Sequence, residues 1–310
     1  MKPVFMINGF LESGKTEFIN YTLGQPYFKT KGRTLLIVCE EGEVEYDPNL
    51  LVKTATDMVV IEDEEDFNVD KLMSLEYTYK PERIIIEWNG VWNYKDMKLP
   101  SVWQIEQQIT TIDASTFVTY YSNMRSLLAE MIRKSEMIIF NRCDDVVDEL
   151  PGFKRNIKAV NQSADIIFEG KDGEINTIFE DDLPFDLNAP VIELDNNGYG
   201  IWYIDSLDNL DRYVGKTICF TAMVLVPEEF PKGYFIPGRM AMTCCADDMA
   251  FIGFACEYED ADKLKDKQWV KVTAKVAKEY FVEYQGEGPV LKAISVENAT
   301  KPKEEVISFN

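Results

Sequence analysis

Short apolar runs alternate with stretches of helical periodicity over the first half of the chain. The apolar runs are β-branched and nearly continuous, as in strands that are buried on both faces of a parallel sheet. They read PVFMIN, TLLIVC, MVVIE, RIIIEW, ITTID, EMIIFN and ADIIF. The spacing between them predicts helices at 15–23, 66–79, 117–134 and 145–160. This alternation predicts an α/β domain with a mostly parallel sheet and right-handed crossovers.

The pattern changes near residue 180. EDDLPFDLNAPVIELDNNGYG is rich in Asp, Asn, Pro and Gly, a composition typical of a linker. Beyond it, strand-like runs are separated by turn signals, with only a short helix-like stretch at 260–266. This favours a small all-β barrel such as an OB-fold. We therefore predict domains at 1–180 and 205–310, joined by a linker at 181–204.

The first candidate for chemistry lies between the first strand and the first helix. GFLESGKT satisfies G-x-x-x-x-G-K-[ST], which predicts a P-loop NTPase domain. In such a loop the backbone N–H groups converge on phosphates, a lysine reaches the β- and γ-phosphates, and a hydroxyl binds Mg²⁺. We expect the side chain of Glu12 to point to solvent while its N–H serves the phosphates. The predicted phosphate-binding residues are Gly9, Glu12, Ser13, Gly14, Lys15, Thr16 (also a Mg²⁺ ligand) and Glu17.

A second signal follows the strand EMIIFN. Asn141-Arg142-Cys143-Asp144 is close to the N-K-x-D pattern that binds guanine. A carboxylate there accepts from N1–H and from the exocyclic amine of guanine, and adenine offers neither donor. We therefore predict Asn141, Arg142 and Asp144 as guanine-binding residues, with the Arg142 guanidinium over the base.

Two acidic positions complete the predicted catalytic set. Glu87 lies at the carboxyl end of the strand RIIIEW, where a carboxylate can hold the Mg²⁺ shell. CEEGEVEYD, residues 39–47, follows the second strand and is interpreted as a switch loop whose acids meet the metal or the attacking water. The predicted catalytic residues are Lys15, Glu40 and Glu87.

The amino-acid composition argues against several classes of partner and location. The 310 residues include 54 acidic and 32 basic side chains, a net charge of −22, which argues against nucleic acid as a partner. No apolar run approaches the ~20 residues of a membrane span, and the start of the chain leaves no room for a cleavable signal, so we expect a cytoplasmic protein. Its six cysteines are expected to be reduced thiols. Histidine is absent, so a soft metal would depend on cysteine.

GFLESGKT, CEEGEVEYD, PERIIIEWNG and NRCD resemble, in order, the motifs of CobW-like P-loop GTPases over about residues 1–170. The usual forms are similar to GFLGSGKT, N-E-x-G-E-x-x-x-D, a strand ending E-x-x-G, and N-K-x-D. The resemblance implies slow hydrolysis of GTP to GDP and phosphate, coupled to handling of a transition metal, often zinc or cobalt.

The chain departs from that family at several points. Glu12 replaces the usual second glycine, and Arg142 replaces the usual lysine. Residues 48–82 lack the family's Cys-x-Cys-Cys, and the typical His-rich C-terminal domain is missing.

The second half resembles another family. Residues 205–310, with EFPKGYFIPGRMAMTCCADD and DKQWVKV, are similar to the soluble C-terminal domain of permease accessory subunits. That resemblance implies transport or homeostasis of a small solute or a metal, with a membrane permease or a metal-receiving protein as partner.

Cys244 and Cys245 are the candidate zinc ligands. A hairpin around ADDM would place Cys256 opposite Arg239, too far away to join them. Adjacent strand residues point to opposite faces, so both thiols could share one ion only if the strand broke there. The other interpretation places one cysteine in the core and leaves the other half exposed.

Two functions remain open from the sequence. The first is a slow, Mg²⁺-dependent GTPase in transition-metal trafficking, with zinc as the expected metal. The second is a nucleotide-responsive binding module with negligible hydrolysis that docks on a membrane permease.

Overall fold

The computed structural model describes residues 1–40, 42–175, 183–227, 230–242, 249–307 and 309. The chain divides into two compact units, Met1–Ile178 and Phe179–Asn310.

The first unit is an α/β P-loop domain. Its strands are β1 (Lys2–Asn8), β2 (Thr34–Val38), β3 (Thr56–Val60), β4 (Arg83–Glu87), β5 (Trp103–Asp113), β6 (Met137–Asn141), β7 (Asp165–Gly170) and β8 (Gly173–Glu174). Its helices are α1 (Lys15–Gly24), α2 (Pro48–Lys53), α3 (Val69–Tyr79), α4 (Phe117–Asn123), α5 (Arg125–Ile132) and α6 (Leu150–Val160). In the described residues the sheet order is β3-β2-β4-β1-β5-β6-β7-β8, parallel except for the β7–β8 hairpin.

Both faces of this sheet are covered, which explains why β2 and β4 at its centre are buried at every position. On one face, Ile19 and Leu23 of α1 pack with Leu36 and Ile85. On the other face, Leu72 of α3 belongs to a second cluster of buried side chains from the same strands.

The strand register brings the predicted site residues to one edge of the sheet. Ile7 at the end of β1 pairs with Glu87 at the end of β4, and Asp113 at the end of β5 pairs with Asn141 at the end of β6. The carboxyl ends of parallel strands face the same edge, so the loops that follow them share one crevice.

The predicted helix at 117–134 is two helices. Met124 lies between α4 and α5 with φ −129° and ψ 32°, outside the α-helical region. Phe117 and Leu128, which lie on either side of this break, are both buried, as the apolar spacing of the sequence predicts. The sequence pattern therefore predicts burial correctly but does not reveal the break.

The second unit is rich in β-structure. Its elements are β9 (Ile192–Leu194), α7 (Asn196–Asp208), β10 (Thr217–Leu225), β11 (Tyr234–Met242), β12 (Met249–Gly253), β13 (Cys256–Glu257), β14 (Trp269–Phe281), β15 (Gly286–Asn298) and β16 (Val306–Ile307). Among the described strands, pairings run from β10 to β14, β15, β13 and β11 and back to β10. These pairs are antiparallel except for β13–β15, which is parallel.

Strand β9 and most of helix α7 occupy positions in the predicted linker, residues 181–204. Asp195 caps the helix, since its carboxylate accepts a hydrogen bond from the N–H of Gly198 at 2.7 Å. Tyr199 and Trp202 are then buried. An Asp-Asn-Asn-Gly run suits a helix N-terminus as well as a turn, and the tertiary packing decides between them.

The expected hairpin register around ADDM is wrong. Arg239 pairs with Ile252, and Cys256 lies on a separate strand opposite Phe235. The ladder between β11 and β12 ends at Gly253, so the chain changes strands before it reaches Cys256. Cys244 and Cys245 themselves lie outside the described residues.

In the described ranges, no helix combines the length and the apolar character that a membrane crossing requires.

Candidate functional site

The P-loop, residues 9–16, joins β1 to α1 through a strongly curved backbone. Gly9, Glu12 and Gly14 have φ values of 144°, 59° and 93°, and the N–H of Ser13 donates to the carbonyl of Phe10 at 3.1 Å. Glycine adopts positive φ without strain, whereas an L-residue there costs roughly 1–2 kcal/mol. Glu12 therefore occupies a position for which glycine is the unstrained choice.

Lys15 lies inside the loop and is only 4% exposed. Its ammonium donates to the carbonyls of Gly9 and Phe10 at 3.0 and 2.9 Å and to the carboxylate of Glu40 at 2.5 Å. The structure thus brings together two of the predicted catalytic residues, Lys15 and Glu40.

Thr16 and Glu87 also meet in the structure. The Thr16 hydroxyl donates to Glu87 Oε1 at 2.9 Å, and the Tyr46 hydroxyl donates to the other carboxylate oxygen. Glu87 is 2% exposed, and burial raises the pKa of its carboxyl although hydrogen bonds from Tyr46 and Thr16 and the charge of Lys15 oppose the rise. Tyr46 was missed by sequence reasoning. The available signal was an aromatic residue in an otherwise acidic loop.

The carboxylate of Glu12 is exposed but bonded. Its Oε1 accepts a hydrogen bond from the N–H of Glu43 in the switch loop at 2.8 Å. The expectation that this side chain merely points to solvent is therefore incomplete. Glu17 lies at the mouth of the same cleft, 3.6 Å from the guanidinium of Arg142.

The predicted guanine-binding loop lies against the P-loop. The Asn141 side-chain amide donates to the carbonyl of Ser13 at 2.8 Å. Arg142 has a positive φ of 53°, and its guanidinium donates to the carbonyl of Glu12 at 2.8 Å and to Asp113 at 2.6 Å. Asp113, at the end of β5, was missed because ITTIDA gives no local sign of an arginine partner.

Asp144 is exposed at the same edge of the sheet. Its two carboxylate oxygens lie 3.0 and 3.3 Å from the N–H of Lys171, in the turn after β7. This backbone contact fixes the carboxylate while leaving acceptor capacity on both oxygens. The role of Lys171 was not visible in the sequence because a main-chain donor leaves no residue-type signal.

Comparison with models of known protein families shows which family this chain belongs to. Residues 3–168 match the model of the CobW/HypB/UreG nucleotide-binding domain, and this match covers more than half of the chain. The chain belongs to the CobW/HypB/UreG family. Residues 173–307 match the DUF1980 C-terminal domain. No curated protein matches the chain.

Three solved structures are similar to different parts of the chain. HypB from Archaeoglobus fulgidus is 17% identical, with 56% of this chain and 84% of that chain covered and a TM-score of 0.42. The Zn(II)-bound YjiA GTPase from E. coli is 14% identical, with 88% and 93% covered and a TM-score of 0.41. HypB from Helicobacter pylori in complex with nickel is 17% identical, with 54% and 78% covered and a TM-score of 0.36.

Thiols in this CobW/HypB/UreG domain are buried. Cys39 is 2% exposed, and burial together with the charges of Glu87 and Glu40 raises its pKa. Burial also raises the pKa of Cys143 to about 11. The raised pKa values disfavour the thiolate, which is the form in which cysteine binds a metal. Within the described ranges, no three or more Cys, Asp or Glu side chains are grouped as a metal ion would require.

Proposed function

We propose that this protein binds GTP and Mg²⁺, hydrolyses GTP slowly to GDP and phosphate, and acts in the handling of a transition metal, with zinc as the proposed metal. The hydrogen bond from Asn141 to the carbonyl of Ser13 is the observation that carries the proposal. It joins the N-R-x-D loop to the P-loop, so one nucleotide can reach both.

Guanine selectivity is assigned to Asp144. Its exposed carboxylate accepts from N1–H and from the exocyclic amine of guanine, while the N–H of Lys171 holds it in place. Adenine has neither donor, so binding adenine would leave the carboxylate without partners from the base.

Phosphates are assigned to the P-loop N–H groups and to Lys15. Thr16 and Glu87 would hold Mg²⁺, and the pair fits this ion because both side chains offer oxygen ligands 2.9 Å apart. When bound, Mg²⁺ supplies positive charge to the phosphates. Lys15 adds the ammonium charge, and the loop adds oriented N–H dipoles.

Slow turnover is consistent with the absence of histidine from the chain. The proton of the attacking water is then left to solvent or to a carboxylate. Glu40 is the proposed side chain for this role, because it lies on the switch loop and lines the P-loop cleft.

The role in metal handling rests on family membership and on the predicted ligands. Cys244 and Cys245 are proposed to bind zinc. The second unit is proposed to be an OB-like barrel, and the ring of strand pairings from β10 back to β10 supports this. A membrane permease or a metal-receiving protein, met in the cytoplasm, is the proposed partner.

Titration of the full chain with GTP and with ATP in the presence of Mg²⁺ tests the nucleotide assignment. We expect a preference for GTP of about a hundredfold or more. Equal affinity for the two nucleotides would contradict the proposal.

Single-turnover hydrolysis, with and without Zn²⁺, tests the enzymatic part. We expect slow release of phosphate. Tight GTP binding with no hydrolysis in either condition would favour the nucleotide-responsive binding module instead.

A further inference from the structure

Lys15 has no remaining hydrogen-bond donor for a phosphate. A lysine ammonium has three N–H donors, and they are directed at Gly9 O, Phe10 O and the carboxylate of Glu40. The carbonyls belong to the loop that carries Lys15, whereas Glu40 belongs to the switch loop. A phosphate oxygen can therefore reach the ammonium most directly by displacing Glu40.

The switch loop is also attached to the P-loop at Glu43. The N–H of Glu43 donates to Glu12 Oε1 at 2.8 Å. Gly42 packs against the same oxygen, because a Cβ added at Gly42 would lie 2.8 Å from it. The side chain that distinguishes this P-loop from G-F-L-G-S-G-K-T thus contacts two consecutive residues of the switch loop.

A third contact lies at the other end of the loop, where Tyr46 donates to Glu87. Glu87 is the carboxylate that also accepts from Thr16. The switch loop is therefore bound to groups that the proposed function assigns to phosphate and Mg²⁺.

Charge acts in the same direction. The cleft is lined by the ammonium of Lys15 and by four carboxylates, those of Glu12, Glu17, Glu40 and Glu87. A nucleotide brings further negative charge, so its binding favours movement of the Glu40 carboxylate away from Lys15.

We propose that Glu12 is a positioning residue that holds the switch loop over the P-loop and thereby limits nucleotide binding. This inference rests on the proposed function. The Glu12–Glu43 contact stabilises the conformation in which the carboxylate of Glu40 pairs with the ammonium of Lys15. A nucleotide then binds only the fraction of molecules in which the contact is open, and this fraction scales the apparent affinity.

The test compares variants in the full chain, with N-methylanthraniloyl-GDP and Mg²⁺ as the probe. Glu12→Ala removes the acceptor and the charge, whereas Glu12→Gln removes the charge and keeps an acceptor oxygen. Both keep a Cβ at the positive-φ position, so backbone strain is matched. Gly42→Ala displaces the flexible end of Glu12 without altering Glu12 itself, and Gly42→Ala in the Glu12→Ala background is its control.

We expect Glu12→Ala and Gly42→Ala each to raise the affinity about three- to tenfold, through faster association with little change in dissociation. Glu12→Gln should gain less than Glu12→Ala, and Gly42→Ala should add nothing once Glu12 is Ala.

If Glu12→Gln and Glu12→Ala raise the nucleotide affinity equally and Gly42→Ala leaves it unchanged, the inference is overturned. Repulsion between the Glu12 carboxylate and the phosphates would then explain the gain. Slower dissociation as the source of the gain would also overturn it. If the wild type binds the probe and no variant differs, the inference fails while the proposed function stands. Failure of the wild type and of every variant to bind guanine nucleotide would instead remove the proposed function.

Discussion

The guanidinium of Arg142 donates to the carboxylate of Asp113 at 2.6 Å, which links the loop after β6 to the end of β5. The same guanidinium donates to the carbonyl of Glu12. One side chain therefore joins the proposed base-binding loop, the sheet and the P-loop. Its role in this structure is to position these segments, in addition to the contact with the base that the sequence predicts.

Removing this ion pair should weaken GTP binding moderately. In a double-mutant cycle of Arg142→Ala and Asp113→Asn, we expect a coupling of about 0.5–1 kcal/mol in GTP affinity, because the arginine is half exposed. Arg33→Ala, which breaks an exposed pair with Asp57 outside the cleft, is the matched control. A coupling of zero would mean that the pair does not position the loop.

The same pair predicts a pH effect. Burial acts to raise the pKa of Asp113, but hydrogen bonds from Ser115 and Arg142 outweigh it and hold the pKa below the ordinary range. The stabilisation from Asp113 is therefore present above the pKa of an unfolded aspartate and is lost as pH falls through the lowered pKa. Urea unfolding in acid should show a smaller pH dependence for Asp113→Asn than for the wild type.

Asp144→Asn should reduce GTP affinity and relax the preference for guanine. The amide offers one acceptor oxygen and an NH₂ group where guanine requires two acceptor contacts, so xanthine nucleotides become better ligands. Competition titrations with GTP, ATP and XTP measure this. Unchanged selectivity would show that Asp144 does not contact the base.

Glu87→Gln should maintain or raise the stability of the nucleotide-free protein at neutral pH but weaken its Mg²⁺-dependent binding of GTP. Because the folded pKa of Glu87 is raised, its favourable contribution is present below the pKa of an unfolded glutamate and is lost as pH rises through the folded value. Nucleotide-free Glu87→Gln should therefore melt at or above the wild-type temperature at neutral pH, with the difference shrinking in acid. Its Mg²⁺-dependent gain in GTP affinity should be largely lost. A variant that melts lower at every pH would contradict this.

Gly90→Ala should weaken nucleotide binding. An added Cβ would overlap the carbonyl oxygen of Gly9 and lie 2.9 Å from the Cα of Phe10, so the P-loop has to shift. We expect at least about a tenfold loss of GTP affinity and a destabilisation of about 1–3 kcal/mol. Gly152→Ala is the control, since it lies in helix α6 with only a distant side-chain atom near its Cβ. That change should stabilise by about 0.5–1 kcal/mol.

Zinc binding by the full chain should depend on Cys244 and Cys245. Changing both to Ser should lower Zn²⁺ affinity, read with a competing chelator, because serine is a poor ligand for a soft metal. Cys219→Ala, a buried cysteine on β10, is the matched control. Stoichiometric binding retained by the double variant would point to Cys39 and its neighbouring acids.

Local pattern alone determined much of the first unit. Apolar runs predicted the strands that end at Glu87 and Asn141, and the glycine spacing predicted the loop around Lys15. These predictions succeed because they depend on short-range rules: burial on both faces of a strand, positive φ at glycine, and loops at the carboxyl ends of parallel strands.

Only the tertiary structure decided which side chains meet. The contacts of Tyr46 with Glu87, of Glu12 with the N–H of Glu43, and of Asp144 with the N–H of Lys171 join residues that are 27 to 41 positions apart. Two of these acceptors bind main-chain donors, which carry no residue-type signal. Helix α7 was likewise hidden, because Asp195 and the residues after it suit a turn and a helix cap equally well. Burial of Tyr199 and Trp202 favours the helix, and that burial exists only after the chain has folded.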